Sequence, residues 1–285
     1  MSGMRSGLVE ITDLLWPVDA DGRRLPVRRD EVAGRLAGAG QRRAARIVSR
    51  MPATGGVLDP EYLDALGFRV HCELQRLGEE LQLGRRVAAL LEPLLARTGA
   101  VRVVDVGCGL GYVVRWLAAT RPLGDLVELV GIDLNPVIVA EAARLAKAED
   151  LDCRFERGDA LAAVGAMKDG GRTIVISTGL LHHLPETDLP QFFAAQAGLG
   201  VTAFAHWDIV PCAWSTLGAW VFHQARMREA VSRHDGVMSA RRSHSADVLL
   251  TAAQSGAPGY QIAVLETKWH PRALDVLRPV LGVRA

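Results

Sequence analysis

The chain has 285 residues, 49% of them hydrophobic and 23% charged, with a formal net charge of +1. That balance excludes a disordered chain and a protein that wraps nucleic acid wholesale, and the length suits one large domain or one and a half ordinary ones. Charge is uneven: residues 23–50 hold nine Arg against two acidic residues, ordinarily a solvated helical face and otherwise a surface for an anionic partner.

The opening MSGMRSGLVEITDLL lacks the apolar run and cleavage site of a signal peptide. Helices are expected around residues 30–50, from Asp59-Pro60, and around 85–97. Asp59 is a capping residue and Pro60 a first-turn proline, and Leu63, Leu66, Val70, Leu74, Leu77 and Leu81 then recur at three-and-four spacing. Residues 1–98 therefore read as a helical N-terminal cap without strands. From Val101 the pattern changes. VRVVDV (101–106), VELVGID (127–133), CRFERGD (153–159), TIVIST (173–178) and VTAFAHWDIV (201–210) are strand-like. They alternate with helices from Tyr112, from Pro136, just past Asp159, within TDLPQFFAAQAGL and over 246–256. Such alternation predicts an α/β, doubly wound, mostly parallel Rossmann-like sheet over residues 99–285. GYQIAVLETKW and ALDVLRPVL come without a full helix between them, which predicts an antiparallel edge strand.

An insertion at about 211–245 combines Trp214, Trp220 and Phe222 with Arg226, Arg228, Arg233, Arg241 and Arg242. It either covers a ligand at the carboxyl ends of the strands or packs against the N-terminal helices. The stretch 201–222 is apolar, but His206, Asp208 and Pro211 argue against a membrane span. Cys72, Cys108, Cys153 and Cys212 form neither a disulfide framework nor a metal cluster, no metal is expected, and a reducing, cytoplasmic setting fits them.

VVDVGCGLGYVVRWLA (103–118) reads as strand, glycine turn and helix. Gly107, Gly109 and Gly111 let the backbone approach a ligand, and the helix N-terminus behind them offers unpaired N–H groups. A dinucleotide fingerprint would need a glycine where Tyr112 stands. Asp133 ends the next strand, where a carboxylate can accept hydrogen bonds from ribose hydroxyls. Taken singly, Asp105 is also explained as a turn cap, Asp133 as a strand terminus and Asp159 as a helix cap.

From Val101 to Val210 these stations resemble the class I S-adenosylmethionine-dependent methyltransferases of small-molecule type. The resemblance implies that the glycine turn meets the methionine part of S-adenosylmethionine, with Asp105 fixing the turn or reaching the amino group through water. It places Asp133 on the ribose, Leu134 and Asn135 beside the adenine, Asp159 and Ala160 at the adenine amino group, and Thr178 at the methionine end.

A phenol or alcohol acceptor needs a base, and His182 and His183 stand just past the fourth strand, where an imidazole titrates near neutral pH. His183 is the first choice; His206 and His223 compete, and a structural or cofactor-lining pair is the plainer alternative. His206, Trp207, His223 and Arg226 are expected on the substrate side, the arginines suiting a carboxylate or phosphate. The expected activity is methylation of a small, partly apolar molecule at the oxygen of a phenol, hydroxyl or carboxylate, in specialised metabolism. Its partners are that substrate, neither nucleic acid nor a membrane span, and compatibly a homodimer. Two rivals keep the fold: an RNA methyltransferase using the basic segment 23–50, and a non-catalytic cofactor-binding regulator or scaffold. No N/D-P-P-aromatic motif follows the fourth strand, and Cys212 follows the fifth strand instead, so adenine- and cytosine-directed classes are not indicated.

Overall fold

The computed structural model describes residues 8–19, 23–159, 172–211, 215–266 and 276–285. Ala160, the short helix expected just past Asp159, Cys212 and Trp214 lie outside the described residues. Two compact units result, Met1–Leu74 with Pro211–Ser243 and Gln75–Val210 with His244–Ala285. This differs from the expected boundary at 98/99: the insertion groups with the N-terminal segment, and residues 75–98 group with the sheet.

In the first unit, α1 (Thr12–Leu15), α2 (Arg29–Gly38) and α3 (Arg42–Ser49) precede α4 (Pro60–Glu80), within which the unit boundary falls. Ile11, Leu15, Leu36, Val48, Leu63 and Leu66 are among its fully buried core residues. The segment is not strand-free as expected, because β1 (Ala53–Thr54) pairs antiparallel with β2 (Val57–Leu58). Asp59 caps α4, its Oδ1 accepting from the N–H groups of Glu61 (2.9 Å) and Tyr62 (3.2 Å). The apolar stripe of α4 buries Leu63, Leu66 and Val70 as expected, but Leu74 is exposed and Glu73 buried in its place. The Glu73 carboxylate accepts from the N–H groups of Arg228 and Glu229, satisfying backbone between α9 (Ser215–Arg226) and α10 (Ala230–Arg242). Asp235 of α10 likewise accepts from the N–H groups of Ile11 (2.8 Å) and Thr12 (2.9 Å), fastening the insertion to the start of the chain.

The second unit is built on a 7-stranded sheet. Its parallel strands are β3 (Arg102–Val106), β4 (Glu128–Asp133), β5 (Arg154–Arg157), β6 (Thr173–Thr178) and β7 (Ala203–Ile209). With β8 (Tyr260–Val264) and β9 (Leu277–Arg284) added, the order is β5-β4-β3-β6-β7-β9-β8. The antiparallel strand β9 lies second from the edge, between β7 and β8. The strand order reverses between β3 and β6, and in open α/β sheets that is where the crevice at the strand carboxyl ends receives ligands.

Alternation along the strands sorts two cores. Val103, Ile174, Ile176, Ala205 and Trp207 face α5 (Leu83–Thr98) and α6 (Tyr112–Thr120), whose Val87, Leu91, Val113 and Leu117 meet them. Val104, Val106, Val175 and Phe204 face the opposite way, onto Phe192 and Phe193 of α8 (Leu189–Gly198) and Leu249 of α11 (Ala246–Gly256). The near-continuous apolar runs of β3 and β6 follow from this burial on both faces. Between β4 and β5, α7 (Pro136–Ala148) completes the helical cover. Among the described residues no helix is long and apolar enough to cross a membrane.

Candidate active site

The glycine turn leaves β3 and enters α6 with Gly107, Gly109 and Gly111 all at positive φ. At Gly111 the requirement is twofold: φ is +70°, and a Cβ there would lie 2.2 Å from the Phe155 ring. The turn is held by backbone bonds from Gly107 and Cys108 to the Ile132 carbonyl (2.8 and 3.0 Å) and by the Gly109 N–H donating to Asp133 Oδ2 (2.9 Å). No side chain caps α6, so its first turn keeps donors for a ligand.

Asp133 Oδ1 accepts from the Asn135 N–H (3.0 Å), so one carboxylate ties the end of β4 to both the glycine turn and the start of α7. Asn135 Oδ1 is occupied as the cap of α7, accepting from Val137 N–H (3.0 Å). Leu134 beside it is exposed. Asp159, also exposed, follows β5, and Thr178 ends β6, half-buried. Asp105 is buried in β3, and its Oδ1 has no hydrogen-bond partner among the described residues. Burial, reinforced by the nearby Asp133 carboxylate, pushes the Asp105 carboxyl up to about 8.

An adenosine-bearing sulfonium with an amino-acid end fits these residues. The side-chain-free turn admits close approach, the uncapped helix offers donors, and the orphaned Asp105 oxygen is an acceptor placed for a cation or N–H donor. The sequence reading overlooked Arg115, a buried charge on the apolar side of α6. Its Nε donates to the Leu110 carbonyl (3.2 Å), and its terminal nitrogens reach Gln75 Oε1 (2.6 Å) and Glu149 Oε1 (2.5 Å). It clamps the last residues of the glycine turn.

On the other side of the switch point, a 3-10 turn, Leu181–His183, follows β6. The His244 ring places it, Nε2 lying 3.2 Å from the Leu181 carbonyl and 3.1 Å from that of Leu184. His182 is buried and bonded twice to Asp208: its backbone N–H to Oδ2 (2.8 Å) and its Nδ1 to Oδ1 (2.8 Å). Burial alone would raise the Asp208 carboxyl, but the His182 ring and the N–H groups of Ile209 and His182 hold it below the usual carboxylate range. The half-buried His183 ring lies 4.4 Å from the His182 ring, centroid to centroid. Asp208 was also missed in sequence, although the argument that picked Asp105 and Asp133, an acid closing an apolar strand, applies equally to it.

Two expectations on β7 are corrected. His206 is fully buried, its Nδ1 2.9 Å from Ser177 Oγ and its Nε2 3.0 Å from Gln196 Oε1, with Phe192, Phe193 and Phe204 around the ring. Burial drives it down to about 3, so it is a neutral core group, neither a base nor a substrate contact. Trp207 points to the opposite face and is buried in the sheet core, where no substrate reaches it. His223 and Arg226 belong to α9 of the first unit. There His223 packs against Gly236 of α10, and burial holds its pKa below the usual imidazole value.

Residues 103–199 match the family model described as a methyltransferase domain. Three solved structures are similar. The plantazolicin methyltransferase BamL, in complex with a triazolic desmethylPZN analog and SAH, is 12% identical, with 79% of this chain and 92% of that chain covered and a TM-score of 0.58. The methyltransferase domain of bacterial CtHen1 is 15% identical over 72% of this chain and 99% of that one, with a TM-score of 0.51. The magnesium protoporphyrin IX methyltransferase of Synechocystis PCC 6803 with bound SAH is 18% identical over 90% and 100%, with a TM-score of 0.49. No curated protein matches the sequence significantly. The first two likenesses establish the fold, and the family model covers the strands and turns just described. Residues 103–199 thus match a methyltransferase domain, and the sheet that carries them has the Rossmann-like fold of the plantazolicin methyltransferase and the CtHen1 domain.

Proposed function

We propose that this enzyme methylates a small, partly apolar molecule at oxygen. The observation that carries the reading is the pairing, across the switch point, of a donor-holding turn after β3 with a histidine pair after β6. Gly107, Gly109 and Gly111 bind by backbone, Asp133 and Asp105 supply carboxylates, and Leu134 offers an apolar surface for a base. Bound S-adenosylmethionine supplies an activated methyl group. The chain's own residues have the task of aligning the acceptor and excluding water, which furnish most of the rate in such a transfer. His182 and His183 stand where an acceptor proton would be taken up. The plantazolicin methyltransferase that shares this fold, crystallised with a desmethyl analog, is consistent with a small-molecule acceptor.

The experiment is incubation of the purified chain with methyl-labelled donor and a panel of phenols, hydroxy acids and amines. Label in an O-methyl product is expected. Donor binding without turnover on any member would favour a cofactor-binding regulator.

One observation favours a second reading, an RNA acceptor: Arg42, Arg43, Arg46 and Arg50 of the α3 region are exposed, and none has an ion-pair partner among the described residues. A gel shift with bulk RNA across a salt series separates the two, since phosphate-driven binding weakens steeply with salt.

A further inference from the structure

We propose that the outward face of α9 and the arginine row of α3 form one surface, which docks the protein peripherally on a bilayer containing anionic phospholipid. Both helices belong to the first unit, and the inference holds whatever the methyl acceptor is.

A helix on the surface of a domain ordinarily turns its apolar stripe inward and its polar residues to water. In α9 the order is inverted. Its inward side carries His223, packed on Gly236 of α10, whereas Leu217, Trp220 and Val221 are 53%, 47% and 53% exposed. Their three-and-four spacing continues to Gln224 and Ala225, so these five residues form one outward stripe. An open apolar trough runs along it from Leu217 to Arg226. A contiguous exposed apolar patch of this kind marks an interaction surface rather than a solvated face.

The charge beside the stripe identifies what covers it. Arg43 of α3 reaches its last turn, with Nη2 3.5 Å from Gln224 Oε1. Arg42, Arg46 and Arg50 are exposed in the same segment, and neither α3 nor α9 carries an acidic residue, so the local field has one sign. A second copy meeting this face about a two-fold axis would bring the two arginine rows towards each other. RNA would engage the arginines through its phosphates but offers Leu217 and Val221 no apolar bed. An anionic bilayer satisfies both halves of the surface. The aliphatic and indole side chains enter the interfacial region, where Trp is favoured, and the guanidinium groups stay at the phosphates. At 12 residues α9 is too short to span a bilayer and would lie in the interfacial plane.

The test is flotation of the purified full chain with phosphatidylcholine vesicles, with and without phosphatidylglycerol, across a salt series. Binding to the phosphatidylglycerol vesicles that weakens as salt rises is expected. Arg43→Ala and Arg46→Ala should each lower partitioning about fivefold, and Leu217→Ser and Val221→Ser should each do so by a similar factor. All four side chains are exposed, so the variants should unfold at the wild-type denaturant midpoint. Indole emission should shift to the blue on vesicles in the wild type and less so in Trp220→Phe. No binding to either vesicle, equal binding with and without phosphatidylglycerol, or binding that the arginine and aliphatic variants leave unchanged overturns the proposal. It is also overturned by retention of bulk RNA in place of vesicles, by a dimer that Leu217→Ser dissociates, or by an acceptor KM that rises in Leu217→Ser while vesicles are not bound.

Discussion

Two buried histidines, one on β7 and one on the turn that follows β6, are held in opposite ways. His206 lies in the core between Ser177 and Gln196, where the Gln196 side-chain N–H donates to the Phe192 carbonyl and leaves Oε1 to receive from the imidazole. Every partner is neutral, and the ring is neutral with them. His182, at the strand ends, is bonded to the ionised Asp208. Burial alone therefore does not set the two apart; the charge of the partner does. A neutral network fixes packing, whereas Asp208 gives His182 a charged partner.

Breaking the second arrangement should have the largest effect. His182→Gln removes one of the two imidazoles proposed to take up the acceptor proton and should raise the barrier to methyl transfer by about 3–5 kcal/mol, the equivalent of a rate loss of about 10²–10⁴, read by single-turnover kinetics. Breaking the first should act on stability instead. His206→Leu strands Ser177 Oγ and Gln196 Oε1 in the core and should cost about 2–4 kcal/mol in denaturant unfolding. A variant that lost turnover while keeping its stability would reverse the comparison. Next comes Asp133→Ala, which frees the Gly109 and Asn135 N–H groups and should weaken donor binding by about 1–3 kcal/mol in calorimetry.

The smallest effect sharpens the contrast through pH. An unfolded histidine titrates near 6.5, while folded His206 sits at about 3. In that interval the unfolded chain binds a proton that the folded chain refuses, so stability falls as pH drops from about 6.5 towards 3, by up to about 1.4 kcal/mol per unit. Asp105 acts in the opposite sense. Its carboxyl is raised from 3.8 to about 8, so the folded chain holds the extra proton and stability falls as pH rises between those values. The two offset each other from about 4 to 6.5, Asp105 acts alone from there to about 8, and His206 acts alone below about 4. Urea unfolding across pH should lose the upper limb in Asp105→Asn and the lower limb in His206→Gln.

The sheet was legible in sequence because its central strands are buried on both faces: VRVVDV, VELVGID and TIVIST read as near-continuous apolar runs, and the residues that end the first two, Gly107 and Asp133, are those that shape the turn. The first unit was less legible. A hairpin of two-residue strands, Ala53–Thr54 with Val57–Leu58, is too short for any alternation to register. The attachment of the insertion depends on Asp235 reaching Ile11 across 224 residues of chain, which no local pattern encodes. His206 and Asp208 share one face of β7, and only their partners, from β6, its following turn and α8, tell them apart. The sequence reading ranked His183 first because a His-His pair gives no hint of which ring a distant carboxylate will fix.

The claim on which all of this depends is that the turn after β3, with Asp105 and Asp133, holds the donor. Calorimetric titration of S-adenosylmethionine at neutral pH, repeated in buffers of different ionisation enthalpy, tests it most directly. Saturable binding that expels protons in the wild type, as the donor's positive charge draws Asp105 into its ionised form, and expels none in Asp105→Asn, is the predicted result. Wild-type protein that takes up no S-adenosylmethionine at any pH would contradict the account.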